Sequence, residues 1–144
     1  MNGIEYDICY TQQRIYEHMA SEKYDMRGFS DAYLKCDFCR RAMDTCYSRF
    51  QLEDVYECMD FYMPEIGASL VKTDGGQNIE AAAWIGFMYR YLFISTGIMS
   101  AELVQKVTYD VMLAYYPGLH TIDEDMAIDI ICKDFSLERN RVQV

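Results

Sequence analysis

The sequence predicts an all-α protein, a compact bundle of about six helices around one central apolar helix. Three observations predict it. Apolar residues recur at spacings of three and four along most of the 144 residues, the period of helices packed on one face. No segment alternates apolar and polar residues as a half-buried strand does. Residues 81–97, AAAWIGFMYRYLFISTG, are the most apolar stretch and carry the one tryptophan, Trp84, and a single charge, Arg90. That is the pattern of a helix buried on most of its faces. Arg90 interrupts the run short of the roughly 20 apolar residues a bilayer span needs, so no membrane partner is expected.

Taken in order, Ile4, Ile8, Ile15 and Met19 predict a helix over 4–22, with Tyr6, Tyr10 and Tyr16 flanking the stripe. Residues 23–29 read as a connection. Ser30 is expected to cap a second helix that runs to about residue 47, with Asp31 in its first turn and Tyr33, Leu34, Phe38, Ala42 and Met43 inward. A third helix, 51–62, places Leu52, Val55, Tyr56 and Met59 on an apolar face, with Glu53, Glu57 and Asp60 opposite and Asp54 beside them. Pro64 is expected to end or bend it, with a short helical turn in 65–71.

Asp74-Gly75-Gly76 marks the best boundary, between an N-terminal part (1–72) and a C-terminal part (79–135) packed on it. Gly97 suits a left-handed cap after the central helix, 79–97. Ser100 is expected to cap a helix to about residue 115 with Leu103, Val104, Val107 and Val111 inward, and Pro117-Gly118 to break the chain. Thr121 and Glu124 form a capping box for a last helix over 122–135, with Met126, Ile130 and Ile131 inward and Asp123, Asp125 and Asp129 outward. Residues 136–144 read as a loose tail.

Half the chain is hydrophobic (51%) and 15% is aromatic, ample for a core. The net charge of −10 argues against direct nucleic-acid binding and against anionic membranes, and it admits a basic partner protein. Thirteen tyrosines and ten methionines suit a core and its rim, a sticky partner surface, or a homodimer. The first residues lack a basic segment followed by an apolar one, so no signal peptide is expected, the six cysteines are expected reduced, and the location is expected to be cytoplasmic.

Cys36 and Cys39 form a CxxC, with Cys46 and Cys58 beyond it, an alternative that would make the protein zinc-binding or redox-active. No second CxxC or paired histidines follow, and the expected setting is one helix, so these thiols are read as small apolar residues and no metal or cofactor is assigned. Residues 94–107 have a helix-turn-helix outline, but Ala101, Glu102, Gln105 and Lys106 make a poor phosphate-reading surface. His120 beside Asp123, Glu124, Asp125 and Asp129 has no second cluster to converge with, and the acids suit a helix N-terminus. Nucleophile-elbow, P-loop and HExxH patterns are absent, so an enzyme is not expected.

A helix ending at Gly97, a capped helix from Ser100, then Leu119-His120-Thr121 and an acidic helix with Asp129-Ile130 resemble a family of short uncharacterised bacterial proteins. Members are encoded beside ADP-ribosyltransferase-like toxins, and the resemblance implies a small helical antitoxin-like or accessory partner with no catalytic residues. The resulting expectation is an acidic inhibitory protein, antitoxin-like or a phage-type inhibitor of a nucleic-acid-processing defence enzyme. It would bind a basic site through Glu53, Asp54, Glu57 and Asp60 or through Asp123, Asp125 and Asp129, with Tyr115, Tyr116 and His120 as contacts.

Overall fold

The computed structural model describes residues 1–139; the end of the expected tail, 140–144, lies outside the described residues. Seven α-helices and three short turns of other helix types follow one another, with no β-strand among the described residues. One isolated antiparallel bridge, Tyr24 to Lys72, ties the first connection to the segment before the fourth helix. No described helix is long and apolar enough to cross a membrane.

Helix α1 (Gly3–Ser21) opens on a capping box in which Asn2 accepts the Glu5 amide and Glu5 accepts the Asn2 amide. Ile8, Ile15, Tyr16 and Met19 are buried; Ile4, expected to join them, is exposed. Helix α2 (Met26–Lys35) starts earlier than expected because Asp25 caps it by accepting the Gly28 amide. Ser30 is therefore a buried mid-helix residue, its hydroxyl 2.7 Å from that of Tyr16. The predicted run to residue 47 breaks at Cys36, whose backbone is extended, and resumes as a π-helical turn, Cys39–Met43. A 3₁₀ turn, Arg49–Leu52, follows.

Helix α3 (Val55–Ile66) is capped by Asp54, and this later start shifts its inner face. Cys58, Tyr62 and Ile66 are buried, whereas Leu52 precedes the helix and is exposed, as is Tyr56. Pro64 does not end the helix: it sits in the last turn, two residues before the end, and a 3₁₀ turn, Gly67–Ser69, follows.

Helix α4 (Ile79–Thr96) runs from an Asn78 cap to Gly97, whose φ of 72° permits the left-handed C-cap and whose amide donates to Phe93 O at 2.7 Å. From Ala81 to Leu92 every residue but Trp84 is buried. Its most extensive packing is against α1. The two backbones meet at Gly86, where a β-carbon would stand 2.6 Å from Tyr16 Cγ and 2.8 Å from Gln12 O.

The predicted helix over 100–115 divides into α5 (Ser100–Lys106) and α6 (Tyr109–Leu119). Thr108 caps α6 by accepting the Val111 amide, and the Tyr89 hydroxyl holds the break by donating to Val107 O at 2.6 Å. Leu103, Val104 and Val107 are buried as expected. Ser100 is the first residue of α5 and not its cap, and α6 continues through Pro117. The predicted capping box does not form: Thr121 donates to Gly118 O, and Asp123 caps α7 (Glu124–Asp134) by accepting the Asp125 amide. That start turns Ala127, Ile128, Ile131 and Cys132 inward and leaves Met126 and Ile130 exposed, contrary to the periodic reading. Residues 136–139 are not loose, because Leu137 is buried and Arg139 is ion-paired with Asp125.

Candidate functional site

The sequence offers two acidic rows, and the structure places them in different surroundings. On α3, Tyr56 and Asp60 lie one turn apart, as do Glu57 and Phe61, so the four share one outward face. Tyr56 is 67% exposed and Phe61 50%, and Tyr47, just upstream, is 80% exposed. Phe61 is held by Phe50, at 4.6 Å between ring centroids, and Tyr56 by His18, at 5.3 Å. These contacts restrict the rings while leaving them in solvent. Asp54 spends one carboxylate oxygen on the Glu57 amide and Glu53 is half-buried. Glu57 and Asp60 are exposed and have no ion pair among the described residues.

On α7 two of the three carboxylates of the row, Asp125 and Asp129, are already ion-paired. Arg139 donates to Asp125 at 2.7 Å, Asp125 also accepts the Tyr91 hydroxyl at 2.8 Å, and Lys133 pairs with Asp129 at 2.9 Å. The hydrogen bond from Arg139, then that from Tyr91, holds the Asp125 carboxyl below the usual range. Asp123 is exposed and caps the helix. Tyr115 donates to Asp134 at 2.6 Å. Tyr116 packs edge-on to Trp84 and stacks on His120 with centroids 4.2 Å apart, and the imidazole Nδ1–H donates to Tyr116 O at 2.6 Å. These three residues are engaged within the bundle, with one another, with α7 and with α4.

The cysteines are not gathered. Cys36, Cys39 and Cys58 are buried and Cys46 is exposed, and no group of three or more His, Cys, Asp or Glu among the described residues is arranged to hold a metal. The CxxC lies across a helix break and not within one helix, with Cys36 Sγ accepting the Cys39 amide at 3.3 Å. Burial pushes Cys36 and Cys58 up to about 12, and Cys39 to about 11, so all three are neutral thiols at pH 7.

The residue the sequence did not explain is Arg90. It is fully buried, and every guanidinium nitrogen has a partner. Nε and Nη2 donate to Gln12 Oε1 at 3.0 and 2.8 Å, and Nη1 donates to Asp44 Oδ1 at 2.6 Å and Met43 O at 3.2 Å. Nη2 also meets Cys39 Sγ and Ser100 Oγ, at 3.3 and 3.2 Å. Asp44 in turn accepts the Ser100 amide at 2.7 Å and its hydroxyl at 2.6 Å, serving as a remote cap for α5. Burial alone lowers the Arg90 pKa, the surrounding Cys39 and Asp44 raise it, and the net is upward. With Cys39 neutral, Asp44 is the counter-charge. A cleft of about 390 Å³ opens on this network, lined by Ile8, Cys46, Phe93 and Met99 together with Asp44 and Arg90. The satisfied guanidinium has no donor left for a ligand there, so the network is a structural tie among α1, the π turn, α4 and α5.

No family model matches the chain, and neither a curated protein nor a solved structure matches it.

Proposed function

We propose that this protein binds and restrains another protein, and that the contact is the outward face of α3. The observation that carries the reading is that Glu57 and Asp60, without an ion pair among the described residues, stand between two exposed, ring-braced aromatics, Tyr56 and Phe61. Aromatic side chains held at low entropic cost are the residues that dominate protein interfaces. Carboxylates around them select a basic partner, speed encounter and make binding salt-sensitive. The net charge of −10 extends the same field over the molecule. The α7 row serves this purpose less well because Arg139 and Lys133 already pair with Asp125 and Asp129.

On this reading the bundle is arranged around α4, which contacts α1, α5, α6 and α7, and Arg90 fixes the frame that presents α3. An antitoxin-like or phage-type inhibitor of a nucleic-acid-processing enzyme is the concrete version, in which an acidic surface occupies a groove built for phosphates. The test is affinity capture from the native host with wild type and with Glu57→Lys/Asp60→Lys. A basic protein held by wild type at low salt, released at high salt and lost by the variant supports the reading. Equal capture by both refutes the α3 assignment.

A further inference from the structure

We infer that a second copy of this chain docks on α7, in an antiparallel pairing of that helix with itself. An acidic molecule associates with its own copy most readily where opposite charges of the two copies can meet, and α7 offers one such pair, Asp123 at its start and Lys133 near its end. Asp125 and Asp129 are paired with Arg139 and Lys133, and Met126 and Ile130, each one residue further on, are 58% and 38% exposed at a spacing of four residues. The same face therefore carries an apolar pair with Asp123 towards one end and Lys133 towards the other. The α3 face, with free carboxylates, repels one.

The charge pattern sets the register. Crossing two α7 helices antiparallel at the level of residue 128 puts Met126 of one against Ile130 of the other, twice. It also puts Lys133 of each opposite Asp123 of the other, because both pairs sum to the same centre. Lys133 is exposed and among the described residues pairs with Asp129, which leaves ammonium hydrogens for the new carboxylate. Asp123 uses Oδ1 for its cap and keeps Oδ2. The pairing is isologous: each copy gives the same two apolar and two charged side chains. A parallel pairing would set Asp123 against Asp123 and Lys133 against Lys133.

Sedimentation equilibrium of the purified chain over a concentration series tests this. The wild type is expected to show a monomer–dimer equilibrium, and Ile130→Glu to weaken it about tenfold or more by placing a charge in the apolar contact. The register is tested by a sign change. Lys133→Glu should weaken the dimer by repelling Asp123 of the other copy. Asp123→Asn, which preserves the helix cap, should weaken the wild-type dimer but strengthen that of Lys133→Glu. Thermal melts of each variant show that α7 still folds. A chain monomeric throughout, a dimer indifferent to Ile130→Glu, or an Asp123→Asn effect of the same sign in both backgrounds overturns the inference.

Discussion

Replacing Asp44 by alanine removes the counter-charge of a guanidinium that has no access to water. The carboxylate lies 2.6 Å from Arg90 Nη1 and 2.7 Å from the Ser100 amide, and its side chain, like that of Arg90, is essentially inaccessible. At an effective dielectric near 20, charges about 4 Å apart attract by about 4 kcal/mol. Breaking a buried pair from one side costs about 3–5 kcal/mol, because the remaining charge stays desolvated. Asp44→Ala also strips α5 of its remote cap, so the loss should reach the upper part of that range. For a chain of this size that is a fall in Tm of about 10–20 °C, against a total stability of about 5–15 kcal/mol. Urea unfolding followed by circular dichroism measures it, with the m-value unchanged if only the native state is affected. Arg90→Met alone should be comparably damaging, and the double variant less damaging than the sum by about 2 kcal/mol or more. A single-variant loss under about 1 kcal/mol, or additive losses, refutes the tie.

Gly86→Ala gains about 1 kcal/mol of helix propensity but drives a methyl into Tyr16 and the Gln12 carbonyl, so net destabilisation of about 1–3 kcal/mol is expected in the same assay. Tyr89→Phe should cost about 1–3 kcal/mol by leaving the buried Val107 carbonyl unpaired. With a thiol reagent at pH 8, Cys46 should react promptly and the five buried cysteines only on unfolding. Burial raises Cys9, Cys36, Cys39 and Cys58 from near 9 to about 11–12, so the unfolded chain loses these protons first. Stability is then fully present below about pH 9 and falls as pH rises toward 12, which pH-dependent melts should show.

What was legible in the sequence was periodicity; what was not was long-range polar pairing. Helix α4 could be placed within a residue or two because an Asn78 cap, an unbroken apolar run and Gly97 agree. Arg90 stood out as the one charge there, but its partners come from Gln12, Cys39, Asp44 and Ser100, scattered over the chain, and no local pattern joins them. Ser30, Ser100 and Thr121 are good caps by type, yet each hydroxyl is used elsewhere while Asp25 and Asp123 cap α2 and α7 and Met99 holds the cap position of α5. A shift of cap by a few residues turns a helix face. It exposed Tyr56 on α3 and Met126 and Ile130 on α7, positions the apolar spacing alone assigned to the core. The carboxylates of α3 are legible because they are local; that Asp125 on α7 is ion-paired depends on Arg139 folding back from beyond the last helix.

The measurement that bears most directly on the proposed interface is quantitative mass spectrometry of proteins captured from the native host by wild type, Glu57→Lys/Asp60→Lys and Tyr56→Ala/Phe61→Ala, each at low and high salt. The account predicts one basic protein, near stoichiometric with wild type at low salt, diminished by salt and by the charge reversal, and lost on removal of the two rings. The same protein captured equally by all three, or no protein enriched by wild type over both variants, contradicts it.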